Sequence, residues 1–432
     1  MRIAIVGVWL LLTGCAAQSA LVTGAQRGEL ASLRPALEAR LRAGTLGRRE
    51  AREIARVTLE RELAQARGEE ALRRVLESES CVHDAAKALR ARSHGKDAAA
   101  AEALVVLYEA GEISRGTALD HADDPDSAFR RVAVRALDQP GDHERRIGFF
   151  THSDGALRIM ALRAAMVAGD SREIEALRER ARLDPEPDAR SNAIRALALL
   201  DDPPDDLAAF LGDLARTADD ATQGDIAVAW ALSPVFEKGG REALVGLLSS
   251  DKTKPEQRAL AALLVLRTRP ETGLGALGES VLLQILAGDA QAARLLVLRS
   301  APARPKVLEA VRTIVKQEGK TELGIAAAEA QLRAGALVPA AEREAAKARL
   351  FTIAGTDGGL GSHARAALAR QGDRRVQAWL ERDLQARDPV RKLMAARSLA
   401  ALEAAGRAAP LLADGDPSVR TRAACVLLAA PR

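Results

Sequence analysis

The stretch "DPEPDARSNAIRAL", Asp184 to Leu197, decides the fold because the chain contains it more than once in altered form. It returns as "DPDSAFRRVAVRAL" from Asp124 and as "DGDPSVRTRAACVL" from Asp414. Counted from the first Asp, an apolar residue stands five positions on and Arg at six, with small or apolar residues at nine, twelve and thirteen. The apolar positions fall on one face of an α-helix. The segment is therefore predicted to be a recurring helix that packs through one face.

Weaker copies are found when the Arg at position six is used as a marker. The Asp-Pro pair is expected to start each helix, with Asp capping free N–H groups and Pro in the first turn. A spacing of about 30 residues, with one double interval, accommodates two helices and their turns, which is typical of an α-solenoid. The marker positions are Arg130, Arg158, Arg190, Arg258, Arg294 and Arg420, with Lys392 in the place of Arg in one further copy.

The composition agrees with packed helices. Hydrophobic residues make up 48% of the 432 residues but aromatic ones only 2%, so the apolar mass is Ala, Leu and Val. With 28% charged residues, this composition favours an all-α fold over a strand-rich one. The net charge of +4 is almost neutral for this length and disfavours a nucleic-acid-binding protein, which would carry a concentrated basic field.

The repeated template resembles the HEAT-repeat family, in particular its short bacterial type related to phycobilisome-lyase repeats. The resemblance covers about 120–432, is weak around 201–250 and 320–380, and implies a right-handed α-solenoid. The family consists mostly of scaffolds and binding surfaces, so a structural ladder between repeats is implied. Its members are the six marker Arg residues, Arg130, Arg158, Arg190, Arg258, Arg294 and Arg420, and the turn residues Asp124, Asp184 and Asp414. Residues 29–119 are expected to form an N-terminal helical cap or divergent repeats.

The N-terminus has the layout of a secretory signal. Arg2 precedes an apolar run, Ile3 to Leu12, that is too short to span a bilayer. "LTGC", ending at Cys15, resembles the lipobox of bacterial lipoproteins, which implies cleavage before Cys15 and lipidation of its thiol. We therefore expect a signal peptide at 1–14, a lipidated Cys and flexible tether at 15–28, and a location in the cell envelope facing the periplasm or exterior. An ordinary signal peptide and a buried N-terminal helix are the alternatives.

The remaining cysteines and the C-terminus give two further expectations. Cys81 and Cys425 would lie near opposite ends of an elongated array, so a disulfide between them is not expected. The final "CVLLAAPR" lacks a polar capping helix, and solenoid ends need caps for solubility. We therefore expect the C-terminal edge to contact a partner or to self-associate.

Glycine-rich motifs give no cofactor site. "GLGALG", Gly273 to Gly278, matches the spelling of a dinucleotide-binding loop, which requires a strand before it, and the preceding "RTRPET" cannot supply one. "AGTDGGLGSHARAAL", Ala354 to Leu368, lacks the Gly-Lys-Ser/Thr ending of a phosphate loop. It is expected to be a long turn, with an anion at its helix start left open.

Candidate metal ligands are few and poorly spaced. Structural zinc needs four clustered ligands, and "CVHD" at Cys81 to Asp84, even with His94, has no second pair at a suitable distance. HEAT-type iron hydroxylases use several His-Glu pairs, whereas this chain has one, His143-Glu144. "DDPPDD", Asp201 to Asp206, lacks the alternating oxygens of a calcium loop and is expected to be a capped turn. We therefore predict no metal and no cofactor.

A row of arginines is the candidate binding stripe. Arg135, Arg163 and Arg195 stand eleven positions after the template Asp or its equivalent in consecutive repeats, and Arg131 stands at position seven. Position eleven lies far from the core face of the helix, so stacked repeats would align these residues toward solvent. Two interpretations stay open: an ordinary solvated face, or a groove for an anionic partner on the concave surface.

These observations favour a non-catalytic scaffold. The expected protein is anchored to a bacterial membrane through Cys15 and binds a protein, or an anionic envelope polymer, on its concave face. An alternative is a lyase- or hydroxylase-like HEAT enzyme, for which the sequence offers no convergent pocket. Another is a HEAT-like nucleic-acid-binding protein, which export and the near-neutral charge disfavour.

Overall fold

The fold is all-α, as the composition and the repeat predict. The computed structural model describes residues 19–66, 72, 79–300 and 302–430, and within them every regular element is a helix. The predicted signal peptide at 1–14 and the predicted lipidation residue Cys15 lie outside these residues. None of the helices in these ranges is both long and apolar enough to cross a bilayer.

Two compact units divide the chain. The terminal unit combines the residues up to Arg92 with Leu380–Arg432, and the central unit comprises Ser93–Trp379. These divisions differ from the expected boundary between an N-terminal cap at 29–119 and a solenoid at 120–432. The terminal unit is built from two segments that are distant in the sequence, and each unit is described by itself below.

The N-terminal segment of the terminal unit is helical from its first described residues. Its helices are α1 (Ala20–Arg27), α2 (Leu30–Arg42), α3 (Arg48–Gln65) and α4 (Glu79–Ser93). The prediction of a flexible tether is wrong for Ser19 to Gly28. The Ser19 hydroxyl accepts a hydrogen bond from the N–H of Leu21 at 3.2 Å, and Gly28 ends α1 with a φ of 74°. Leu21 and Val22 are buried, and α1 packs against α3, so its apolar side favours a docked helix over a tether.

The central unit stacks helices in the manner of a solenoid. Its helices are α5 (Ala98–Glu109), α6 (Arg115–Leu119), α7 (Ser127–Arg135), α8 (His143–Phe150), α9 (Gly155–Ala168), α10 (Ile174–Leu183), α11 (Pro187–Ala198), α12 (Leu207–Ala215), α13 (Asp220–Ala231), α14 (Ser233–Val235), α15 (Arg241–Ser249), α16 (Pro255–Thr268), α17 (Gly273–Ala287), α18 (Gln291–Ser300), α19 (Pro305–Gln317), α20 (Glu322–Arg333), α21 (Ala340–Ala354) and α22 (Gly359–Arg370). Single 3₁₀ turns and the π-helical turn Phe236–Gly240 connect some of them. The division between the units falls within α23 (Gln377–Asp383).

Small residues let neighbouring repeats approach closely. Helix α9 packs against α7 and α11, α11 packs against α13, and α13 packs against α16. Ala161 and Ala165 of α9 and Ala193 and Ala196 of α11 are at most 1% exposed. Because alanine adds little volume to the contact, these helices pack with a narrow separation. The template positions nine and twelve in α11, Ala193 and Ala196, therefore lie in the core as predicted, whereas the right-handed superhelix stays a prediction.

The predicted helix start is confirmed in two copies, where Asp388 and Asp416 cap helices that begin at Pro389 and Pro417. The other two copies with an Asp-Pro pair differ from the prediction in detail. Helix α7 begins at Ser127 and α11 at Pro187, two residues later than the Asp-Pro pairs at Asp124 and Asp184 suggest. The position-zero Asp instead accepts a hydrogen bond from the N–H two residues on, at 3.0 Å in the copies that start at Asp124, Asp184 and Asp414. These carboxylates therefore close the turn before the helix, and the capping residue follows them.

The C-terminal segment of the terminal unit packs on its N-terminal segment. It contains α24 (Pro389–Ala401), the 3₁₀ helix Ala405–Ala413 and α25 (Pro417–Ala429). Helix α25 packs against α3, and the 3₁₀ helix packs against α2 and α3. Val419 and Leu427 of α25 are at most 2% exposed. The reason given for self-association is therefore wrong, because the C-terminal edge that was expected to be uncapped is covered by α3.

A disulfide joins the two segments of the terminal unit. Cys81 of α4 and Cys425 of α25 are bonded, with their Cα atoms 5.2 Å apart and a sequence separation of 344. The expectation that these cysteines do not pair is wrong, because it placed them at opposite ends of an array. In the structure both belong to the terminal unit.

Removal of this disulfide is predicted to destabilise the terminal unit. Cys425→Ser is expected to lower the free energy of unfolding by about 2–5 kcal/mol, because the crosslink restricts a very long loop of the unfolded chain. Chemical denaturation followed by circular dichroism measures the change. Cys81→Ser and the double variant should show the same loss as Cys425→Ser, since each removes one and the same bond. Full alkylation of both thiols in the native, unreduced protein would contradict the pairing.

Candidate functional site

The predicted ladder is most complete at Arg158. Its Nε and Nη2 donate to the two carboxylate oxygens of Asp184 in the next repeat, each at 2.9 Å. Its Nη1 donates to the carbonyl of His152 in its own turn at 2.9 Å. The side chains of Arg158 and Asp184 are 7% and 0% exposed, and the hydrogen bond to Asp184 raises the pKa of Arg158. This buried bidentate pair holds two repeats together and leaves the guanidinium little capacity for a ligand.

The bond from the marker Arg to its own turn recurs in other copies. Nη1 of Arg130, Arg190 and Arg420 donates to the carbonyl of the residue six positions earlier, at 3.1, 2.9 and 2.7 Å. Those acceptors are the predicted turn residues Asp124, Asp184 and Asp414. The contact to the next repeat is looser at Arg190, whose guanidinium lies 3.7 Å from a carboxylate oxygen of Asp219.

Lys392 replaces Arg in the ladder without loss of the inter-repeat contact. Its Nζ donates to Oδ2 of Asp414 at 2.7 Å, and the Lys392 and Asp414 side chains are 14% and 4% exposed. Burial alone would raise the pKa of Asp414, but the hydrogen bonds from Lys392 and from the N–H of Asp416 outweigh it and lower the pKa.

Arg258 and Arg294 do not contact a turn Asp of the kind predicted. Arg258 donates to the carbonyl of Leu248 at 3.2 Å and to Oε1 of Gln284 at 3.0 Å. Arg294 pairs with Glu318 at 3.0 Å. The marker position keeps its tie to a neighbouring helix in these degenerate copies, while the residue type of the acceptor changes.

In the copy that begins at Asp414, the acid that pairs with the marker Arg comes from the N-terminal segment. Arg420 of α25 donates through Nε and Nη2 to the two oxygens of Glu62 in α3, at 2.9 and 2.8 Å. Both side chains are at most 8% exposed. Burial alone would raise the pKa of Glu62, but hydrogen bonds from Arg420 and Arg61 outweigh it and hold the pKa below its usual range. Helix α3 thus supplies the carboxylate that a following repeat would otherwise provide.

The candidate binding stripe is paired within the protein. Arg135 and Arg163 both contact Oε1 of Glu109, at 3.0 and 2.9 Å. Arg195, which had no evident structural role in the sequence, donates to Oδ1 of Asp225 at 2.7 Å. The fourth member, Arg131, is half-buried. Arg163 and Arg195 therefore lie at the surface, whereas the Arg135 side chain is only 14% exposed, and acidic neighbours compensate much of the charge of all three.

A buried ion pair in the central unit was not predicted. Arg146 and Glu173 are both 0% exposed, and Nε of Arg146 donates to Oε1 of Glu173 at 2.8 Å. Arg146 also donates to the carbonyls of Leu137 and Gln139, each at 2.6 Å. Burial raises the pKa of Glu173 despite this partner. Neither the spacing nor the residue types around "DHERR" distinguish Arg146 from a surface arginine, so the sequence carried no signal for it.

Helices α9, α11 and α13 pack one after another, and each carries an exposed large aliphatic side chain within it or directly after its end. Val167 in α9, Leu199 at the end of α11 and Val228 in α13 are 60%, 42% and 45% exposed, and we call them the apolar row. Leu199 stands one turn after Arg195, and Val228 one turn after Asp225, its ion-pair partner. The row therefore follows the stripe on the same side of the stack, one helical turn further along.

The order of the ion pairs shows that α11 and α13 run parallel. Arg190 pairs with Asp219 near the start of both helices, and Arg195 pairs with Asp225 further along both. Leu199 and Val228, one turn beyond the second pair, consequently lie on the same side of the two helices. These aliphatic residues were not predicted, because their exposure depends on the positions of neighbouring helices, which the sequence of one helix does not give.

The motifs that suggested cofactors have structural explanations. "GLGALG" forms the first half of α17, and a Cβ on Gly275 would lie 2.5 Å from the carbonyl oxygen of Pro270. Glycine is thus required there because the turn passes close to the helix. The loop before α22 turns at Gly358, whose φ is 96°. In "DDPPDD", Asp202 and Asp205 lie 2.9 and 3.3 Å from Nζ of Lys238.

Potential metal ligands are not grouped in the described part of the chain. No set of three or more His, Cys, Asp or Glu side chains in these residues is arranged to hold an ion. Cys81 of the "CVHD" motif is bonded to Cys425.

The two kinds of arginine are predicted to differ in their effect on stability. Arg158→Met is expected to cost about 3–5 kcal/mol of unfolding free energy, because it leaves the buried Asp184 carboxylate without its partner. The matched control Arg195→Met removes a pair whose Arg side chain is 50% exposed, and it should cost about 1 kcal/mol or less. Urea denaturation of both variants measures the difference. Equal losses would show that the ladder position has no special structural role.

Comparisons with known proteins give no relative from which a function can be inferred. No family model matches the chain, and no curated protein matches it. Among solved structures, the crystal structure of an engineered protein is similar over 54% of this chain and 97% of its own, at 17% sequence identity and a TM-score of 0.25. A similarity at that score carries no argument about fold or function. The interpretation of this protein therefore depends on its own residues and geometry.

Proposed function

We propose that the protein is a non-catalytic, HEAT-like scaffold that binds a protein partner through its central unit. The observation that carries this proposal is the apolar row, Val167, Leu199 and Val228, on three consecutively packed helices. Exposed aliphatic side chains aligned along a repeat surface are typical of a protein-binding site, whereas single scattered ones are ordinary. The paired arginines beside the row supply a polar rim of the kind that surrounds such sites.

A protein partner fits this surface better than an anionic polymer. A polyanion would have to displace Glu109 from Arg135 and Arg163, and Asp225 from Arg195, before it gained their charge. A protein can bury the aliphatic side chains and leave these ion pairs intact at the rim. Burial of apolar area stabilises a complex without breaking contacts that the free protein already makes.

We further propose that the scaffold works outside the cytoplasm, held to a bacterial membrane by a lipid on Cys15. The "LTGC" motif supports the anchor. The Cys81–Cys425 disulfide supports the compartment independently, because disulfides form and persist in oxidising environments and are rare in the cytosol. These two observations concern different cysteines in different parts of the chain.

The location is tested by fractionation of cells that produce the full chain. We expect wild type in the detergent-extractable membrane fraction and labelled by a fatty acid, since acylation anchors it. Cys15→Ser should lose the label and leave the membrane. Cys81→Ser is the matched control, because it removes a cysteine from the folded part and should keep both label and anchor. Recovery of unlabelled wild type in the cytosol would exclude the proposed location.

Binding through the apolar row is tested by photo-crosslinking in intact cells. A photoreactive amino acid at Leu199 is expected to capture one discrete protein species, and Val167→Asp in the same chain should reduce the yield about tenfold by placing a charge in the interface. Leu183→Asp is the matched control, because Leu183 is 68% exposed but lies outside the row. Neither substitution should change stability. Equal yields with both substitutions would show that the row is not the binding surface.

A further inference from the structure

We propose that the terminal unit contains a binding site for a small amphipathic anion, a carboxylate or phosphate carried on a short apolar chain. The site is a cavity of about 440 Å³ between the N-terminal and C-terminal segments of this unit. Its size lies within the range of about 300–1,000 Å³ that is usual for small-molecule sites. It is separate from the apolar row, which belongs to the central unit.

One part of the cavity wall is apolar and comes from both segments. Leu41 and Leu46 come from the end of α2 and the turn before α3, and Ala51 from the first turn of α3. Ala405 begins the 3₁₀ helix, and Leu427 lies in the last turn of α25. This wall offers no hydrogen bond from a side chain, so it suits a hydrocarbon chain.

The charges that line the cavity favour an anion. Arg48, Arg52 and Arg407 line it together with a single acid, Glu403. Nη1 of Arg52 donates to the carbonyl of Ala430 at 2.8 Å, which positions this guanidinium at the wall. Among the described lining residues, three guanidinium groups thus stand beside one carboxylate. Guanidinium binds carboxylate and phosphate through paired, charge-assisted hydrogen bonds.

Arg407 has a weak tie within the protein. It lies 3.7 Å from an oxygen of Glu381, and its side chain is 43% exposed. An ion pair at that distance and exposure contributes little, so a ligand can compete with Glu381 at small cost. Arg407 is therefore the residue whose substitution best reports on the anion.

The acid of the cavity stands in an unusual backbone conformation. Glu403 has a φ of 58°, and among the described residues it is the one non-glycine residue with a positive φ. It follows α24, where the N–H of Ala404 donates to the carbonyl of Leu399 at 2.8 Å, the bond that closes this type of helix end. Glycine is the usual residue at such a position, so Glu403 keeps a carboxylate in the cavity at the expense of backbone strain.

Two observations thus lead to one ligand class. The apolar wall and the basic groups face the same space, so a molecule with an anionic head and a short hydrocarbon chain satisfies both. The Glu403 carboxylate limits the affinity, because its negative charge in the same cavity repels an anion. A soluble fatty acid and the headgroup region of an anionic phospholipid share this chemistry, and the experiment separates these two sources.

The test uses the purified full chain and isothermal titration calorimetry with decanoate and decyl phosphate below their micelle concentrations. We expect one site for each anion, with an affinity at least tenfold higher than for decyltrimethylammonium, which has the same chain and the opposite charge. Arg407→Gln should weaken decanoate binding about tenfold, the effect of one charge-assisted contact. Binding of the cation as tightly as the anions would overturn the proposal.

A pair of glycine variants tests the position of the site. Gly406 lines the cavity, and a Cβ built on it meets nothing within 4 Å, so Gly406→Leu is expected to fold normally and to block the cavity. Gly415 has equally open surroundings but does not line the cavity, and Gly415→Leu is the matched control. Decanoate binding should be lost in the first variant and retained in the second. Retention in both variants would place the anion elsewhere and refute the site.

Glu403→Gly separates a binding role from a structural one. It removes both the strained side chain and the competing charge, so the melting temperature and the affinity for decanoate should both rise, the affinity several-fold. A higher melting temperature with unchanged affinity would contradict the role of Glu403 in the cavity.

Vesicles that contain an anionic phospholipid distinguish the two sources of ligand. If a lipid is the source, vesicles bind in place of free decanoate, and Gly406→Leu abolishes vesicle binding. If neither decanoate nor such vesicles bind wild type, the proposal fails.

Discussion

The buried carboxylate of Asp184 is the interaction on which the repeat depends. It accepts the N–H of Glu186, which shapes its own turn, and both donor arms of Arg158 from the preceding repeat. A buried arginine is tolerated only when an acid neutralises it, so a repeat that contains one is incomplete until the next helix supplies that acid. The requirement fixes the register of one helix against the next. In the copy that begins at Asp414, the arginine that needs such an acid is Arg420.

Glu62 of α3 meets that requirement for Arg420, and this explains why the N-terminal and C-terminal segments share a unit. The sequence could not predict the pair, since Glu62 lies 358 residues from Arg420 in a helix without the template. The Cys81–Cys425 bond escaped prediction for the same reason. Periodicity reports which face of a helix is buried, but it carries no information about which distant segment covers the end of the array.

Local patterns, in contrast, predicted local chemistry well. The apolar positions of the opening copy, Ala189, Ala193, Ala196 and Leu197, lie in the core. Arg158 contacts the turn Asp that its spacing indicates. The position of Arg195 away from the core was also correct, because the angle between residues on a helix is fixed. Its partner Asp225 was missed, since α13 departs from the template and an ion pair needs the positions of both helices. Val228 also lies in α13, so it was not predicted either, and the apolar row was not recognised from the sequence.

The closure of the terminal unit creates its cavity. Leu41 and Arg52 come from the N-terminal segment and Arg407 and Leu427 from the C-terminal one, so the cavity exists only where the two segments are packed together. A ligand that fills it binds the closed unit and not the open one, and by mass action it stabilises closure. The anion, the disulfide and the Glu62–Arg420 pair therefore act on the same equilibrium. Because the disulfide keeps the segments together even when the ion pair is broken, it preserves the cavity that the anion requires.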